Sequence, residues 1–249
     1  MSKLCQLQIQ NVESDGNCFY RAIYRIIREY DDLSKKFRVT AKNAEQDSEG
    51  ARELRHYVSA LLYQIAENPE EAKYKSFLNM LSSFMKSDEF NLSVDSLRTY
   101  PFLQVADKVQ DAYDSMKKDG SNESNYDNYF TTLVERYVEQ KAGKDGKFAE
   151  IYEHQIFEEE LKECDVSLIT VSKSLDAGNV DNDLTFQNNM VKDLVKYLTS
   201  EGCATSRVCV LVCVGEVHFK YARFVFDAGT SDCIVSKKDL LSFLMEDDK

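Results

Sequence analysis

The sequence predicts a mixed chain of the α/β class, in its α+β form, and three observations carry that expectation. Apolar residues recur at helical spacing through the first two thirds, strand-like β-branched runs come only in the last third, and no internal repeat or low-complexity segment breaks the pattern. With 249 residues, 43% of them hydrophobic, the chain can bury one large core, so a single domain over 1–249 is expected.

The first helix starts at Cys18, where Phe19, Ala22, Ile23, Ile26, Ile27 and Tyr30 mark one buried stripe. Leu54, Tyr57, Val58, Leu61, Leu62 and Ile65 mark a second, which Asn68-Pro69 stops. From Tyr74 to about Met116 helical pieces are broken at Asp88 to Ser96 and at Pro101, and Lys117 to Asn128 is a loop; about 75–125 is read as a helical insertion. Helices are predicted over Tyr129 to Gln140 and, after a turn at Gly143 to Gly146, from Phe148 to about Glu163. Strands follow at Val166 to Val171, Val208 to Val214 and Val217 to Phe226. The first two are separated by the loop DAGNVDND and a helix through Met190, Leu194 and Leu198.

Charge and cysteine usage exclude several functions. Acidic residues outnumber basic ones 43 to 31, and a chain of net charge −12 is poorly suited to tracking a phosphate backbone, so no nucleic-acid partner is expected. The longest apolar run, Val208 to Val214, is far too short for a bilayer, and MSKLCQLQIQ has no secretory h-region, so no membrane association is expected. Seven scattered cysteines read as reduced thiols in a cytosolic compartment, and the sequons at Asn91 and Asn122 read as chance matches. Cys209 and Cys213 share one strand face, but two thiols without further ligands make no zinc site; no metal or organic cofactor is implied.

The chemistry concentrates at Asp15-Gly16-Asn17-Cys18, a turn that runs into a helix N-terminus. The unpaired amides and dipole of such an end favour thiolate over thiol, and the same turn can aim amides at an oxyanion. A base is also required, and there are three histidines. His56 and His154 lie within helical patterns and read as surface or packing residues, whereas His218 opens a strand just after the Gly215-Glu216 turn. Alone, each motif has a bland reading: a helix-start turn with a small buried thiol, and a satisfied strand histidine.

The string DGNCFYRA at Asp15 to Ala22 resembles the nucleophile motif of the ovarian-tumour (OTU) family of cysteine proteases, deubiquitinases of papain-like architecture. Leu54-Arg55 with Val58, Ile65 and Asn68 is similar to the family's second helix, and Gly146-Lys147-Phe148 to the segment before its first core strand. Asp165 to Val171 and Val217-His218-Phe219 are similar to that strand and to the histidine motif, all in the family's order. The resemblance implies an OTU fold, a small and mainly antiparallel sheet flanked by helices. It implies Cys18 as nucleophile, His218 as general base, and Asp15 with Gly16 and Asn17 as the turn shaping the oxyanion site.

The same resemblance implies ubiquitin or polyubiquitin as substrate, cleaved at the amide joining its C-terminal glycine to lysine, by a protein expected to be monomeric. The setting would be cytosolic, or the host cytosol for a delivered effector. One position departs from the family: many members have Asp or Asn two residues after the histidine, and here that residue is Lys220, which cannot accept a hydrogen bond. Asn11, Glu13 or a backbone carbonyl are then the alternatives for orienting the ring. A ubiquitin-binding pseudoenzyme and a protease for a ubiquitin-like modifier are the competing readings.

Overall fold

A computed structural model describes residues 3–41, 43, 47–67, 134–135, 137–149, 151–173, 188–200, 203–215 and 218–246. The insertion read at about 75–125 and the loop before Met190 lie outside the described residues. The chain divides into two compact units, Met1–Leu54 with Asp145–Lys249, and Arg55–Lys144.

The first unit is α+β. Its sheet has six strands: β1 (Leu4–Gln10), β2 (Val166–Lys173), β3 (Arg207–Val214), β4 (His218–Phe226), β5 (Ser231–Asp232) and β6 (Val235–Ser236). The order is β1-β4-β3-β2, with β5 on β4 and β6 on β3, and every pair is antiparallel except β2 with β3. Its helices are α1 (Cys18–Ile27), α2 (Asp31–Lys36), the first part of α3 (Asp47–Glu67), α4 (Ile151–Lys162), α5 (Asn188–Thr199) and α6 (Lys237–Glu246).

Strand β3, RVCVLVCV, reads as a continuous apolar run because both of its faces are covered. Val208, Val210 and Val212 pack with Met190, Leu194 and Leu198 of α5 and with Leu240 and Leu244 of α6. The alternate residues Cys209, Leu211 and Cys213 point to the opposite face and are equally buried. Burial pushes the Cys209 thiol up to about 12, as befits a packing residue.

The α1 stripe expected from periodicity is wider than one face: every residue of Cys18–Ile27 except Arg25 is buried. The reason is that α1 packs against β4 and also meets α3, where Gly50 lets the Tyr24 ring approach. The Tyr24 hydroxyl reaches the carbonyls of Ala41 at 3.1 Å and Asn43 at 3.0 Å. Arg25 Nε donates to Asp47 Oδ2 at 2.8 Å, tying α1 to the first residue of α3.

In the second unit, the helix expected to reach Gln140 instead ends in a π-helical turn, Val138–Ala142, closed by the Gly143 amide on the Val138 carbonyl at 2.9 Å. The buried Arg55 guanidinium caps this turn, its Nη1 donating to the Ala142 carbonyl at 3.0 Å.

A Cβ at Gly50 would lie 2.2 Å from the Tyr24 ring, whose hydroxyl is already tethered. Alanine normally stabilises a helix by about 1 kcal/mol over glycine. Overpacking of about 1–3 kcal/mol should outweigh that gain here, so Gly50→Ala is expected to lower the denaturation midpoint; a raised midpoint would contradict the packing described.

Candidate active site

Residues 15–17 form a turn that delivers Cys18 as the first residue of α1, with Asn17 at the N-cap position. Asn17 makes no side-chain cap bond to its own helix. Its amide reaches across the chain instead: Nδ2 donates to Asp145 Oδ1 at 2.8 Å, and Oδ1 accepts the Gly146 amide at 3.2 Å. The backbone at 146 therefore runs flush against Gly16, where a Cβ would fall 1.8 Å from the Gly146 carbonyl oxygen. Only glycine fits at 16, and Gly146 itself takes a φ of +74°, the left-handed region that favours glycine.

Asp15 organises the turn from within. Its Oδ1 accepts the Asn17 amide at 2.9 Å and its carbonyl accepts the Cys18 amide at 3.1 Å. Arg21, one turn along α1 and 6% exposed, grips the same carboxylate through Nε at 3.3 Å and Nη2 at 2.9 Å. Partial burial opposes ionisation of Asp15, but the Arg21 bonds, the Asn17 amide and the guanidinium charge together hold it below the ordinary 3.8.

The histidine strand meets this turn directly. The Phe219 amide donates to Cys18 Sγ at 3.4 Å, a contact between residues 201 apart in the chain. The Phe219 ring packs edge-on against Phe19 with centroids 5.3 Å apart, and Phe19 stacks on His154 of α4 at 4.0 Å and 7°. His218 is thus one residue from the cysteine contact, at the β4 end paired with Val214, and it is half-buried. Its Nδ1 is buried with no hydrogen-bond partner among the described residues.

These placements bring Cys18, His218, Asp15, Gly16 and Asn17 into one region, and they revise the electrostatics expected there. The helix N-terminus was expected to lower the Cys18 thiol, yet burial raises it above 9.0; the Phe219 and Phe19 amides pull it back, and the Asp15 carboxylate adds to the rise. Burial and the Lys220 ammonium push His218 below 6.5, with Asp15 pulling the other way. Both shifts favour a neutral thiol and a neutral imidazole over an ion pair.

The oxyanion expectation also acquires a condition. The Asn17 and Cys18 amides already donate to Asp15, so an arriving oxyanion competes with Asp15 for those hydrogens. Of the alternatives for orienting the imidazole, Asn11 is exposed, and the Glu13 carboxylate, 71% exposed, pairs with Arg21 at 3.1 Å. His154 is a packing residue, stacked and pushed down to about 4 by burial, whereas His56 is exposed in the second unit.

Arg21 and Asp145 were not singled out from the sequence. An arginine on the buried face of an apolar helix, six residues after an aspartate, was the available signal for the first; nothing local announces the second. Among the described residues no three or more His, Cys, Asp or Glu are placed to hold a metal, and no helix is long and apolar enough to cross a membrane. No protein-family model, curated protein or solved structure matches the chain.

A raised thiol predicts that alkylation of Cys18 by iodoacetamide climbs steadily with pH and levels off only above 9.0, without the plateau near neutrality that an ion pair gives; such a plateau would refute the neutral pair. A second expectation concerns acid. The fold holds His154 neutral, so its contribution is complete above 6.5 and is lost as pH falls from 6.5 toward 4. Melting temperatures should drop over that window, and His154→Phe, which keeps the ring stack, should flatten the decline.

Proposed function

We propose that the protein is a thiol-dependent deubiquitinase with the papain-like OTU architecture. The observation that supports this most directly is the Phe219 amide on Cys18 Sγ, which joins the nucleophile motif to the histidine motif. The order of the remaining motifs along the chain supports it as well.

In this reading the neutral His218 imidazole takes the Cys18 proton as sulfur attacks the carbonyl of ubiquitin's C-terminal glycine. The tetrahedral oxyanion collapses as the protonated histidine gives its proton to the departing lysine amine, leaving a thioester. Water, deprotonated by His218, then releases ubiquitin and restores the thiol. Asp15, locked in its ionised form, holds the turn that presents the sulfur. All seven cysteines are free thiols, which suits a reducing compartment such as the cytosol of the producing cell or of a host.

One observation favours a second reading, a ubiquitin-binding pseudoenzyme. The imidazole has no orienting partner among the described residues, and Lys220, beside it on β4, opposes its protonation. Loss of an orienting group slows a triad without removing nucleophile and oxyanion donors, so low turnover would sit between the two readings.

Incubation with ubiquitin bearing a thiol-reactive C-terminal warhead, alongside Cys18→Ala and probes built on ubiquitin-like modifiers, tests the proposal. A ubiquitin adduct lost in Cys18→Ala is expected, with hydrolysis of a ubiquitin amide cut at least about 100-fold in His218→Ala. An adduct only with another modifier would redirect the substrate class. Ubiquitin binding without any adduct would establish the pseudoenzyme.

A further inference from the structure

Arg21 is the charged side chain most deeply set against the nucleophile turn, and nothing in the proposed chemistry uses it directly. It is 6% exposed, yet it makes two bonds to Asp15 and a 3.1 Å ion pair with Glu13 at the surface. The two Asp15 bonds engage both carboxylate oxygens, a fork geometry that lysine's point charge cannot reproduce. Asp15 in turn holds the amides of Asn17 and Cys18.

We infer that Arg21 is a positioning residue of the candidate active site: its forked grip on Asp15 fixes the turn and neutralises a carboxylate that otherwise stands unopposed beside Cys18 and His218. The inference rests on the proposed role of Cys18 but concerns the turn's electrostatics, which can be read without ubiquitin.

The charges involved can be named. Asp15 acts against ionisation of Cys18 and supports protonation of His218, while Lys220 on β4 opposes that protonation. Glu13 and Asp47 add negative potential at Arg21, whose guanidinium is the cation that the structure places on Asp15. His154, behind Phe19, is neutral above about 4 and contributes no charge at working pH. Removing Arg21 thus unmasks one carboxylate next to the sulfur, and removing Asp15 as well cancels the effect. A merely structural arginine would not produce that pattern.

The test is the pH dependence of iodoacetamide alkylation at Cys18, read by peptide mass spectrometry, in wild type, Arg21→Gln, Arg21→Lys, Asp15→Asn and the Asp15→Asn/Arg21→Gln pair, with thermal melts confirming folding. Arg21→Gln is expected to shift the profile to higher pH and slow the reaction at pH 7.5 by about five- to tenfold, about one pH unit at most. Arg21→Lys should fall between it and wild type. The double variant should match Asp15→Asn within about twofold, because the charge that Arg21 neutralises is gone. A wild-type profile in folded Arg21→Gln, or a double variant slowed relative to Asp15→Asn, would overturn the inference. If Arg21→Gln does not fold, the comparison of the double variant with Asp15→Asn decides the matter alone. A wild-type protein that forms no ubiquitin adduct but shows the expected alkylation shifts would sink the deubiquitinase reading and leave this one standing.

Discussion

The candidate site depends on how closely two backbones approach each other at Gly16 and Gly146. The 146 carbonyl occupies the space a side chain at 16 would need, and the Asn17 amide fastens the two segments with one bond at each end. Because Asn17 is spent on that link, α1 begins without a side-chain cap, and Asp15 takes over the satisfaction of the turn's amides. Arg21 then pairs with the partly exposed Asp15 carboxylate from the buried side. Each feature is the answer to a polar group left over by the one before it.

Competing magnitudes decide the resting state of the sulfur. A helix terminus contributes about 0.3–1 kcal/mol to an adjacent charge, less than one unit of pKa. Cys18 is 1% exposed, and taking a thiolate out of water costs more than that, so burial wins despite three backbone amides, of Phe219, Phe19 and Cys18 itself, at the sulfur. The position at a helix start is thus insufficient to make a thiolate; depth in the core must be known as well. Burial, with Lys220 alongside, likewise favours the neutral imidazole of His218.

The helices with regular apolar spacing, and the strands around residues 166, 208 and 218, were legible in the sequence, with ends displaced by a few residues. Strand β1 was not, although Leu7 and Ile9 alternate with Gln6, Gln8 and Gln10, because seven residues with mixed polarity before a turn give little weight to any period. Three short elements, α2, β5 and β6, and the terminal α6 were missed as well, the short ones because so few residues carry no period. Within the candidate site, Cys18, His218 and Asp15 were singled out from type and order, and the fold places all three around the Cys18–Phe219 contact. The long-range bond from Asn17 to Asp145 and the depth of Cys18 were not, since both are set by tertiary approach. The stripe on α1 was read too narrowly because periodicity reports the first partner of a helix and not the second.

The pairing of β1 with β4 joins Leu4–Gln10 to residues 221–226, more than two hundred positions further along the chain, and the strand that touches Cys18 is the same β4. Pairings this remote form late in folding, after the local helices, since each closes a loop of some two hundred residues. During synthesis, the DGNC turn must therefore wait, incomplete, until the chain has been made past residue 219. A nascent or truncated chain lacking that strand carries the cysteine without the Phe219 amide on its sulfur, so the surroundings of Cys18 are completed only by the assembled sheet and never within a fragment.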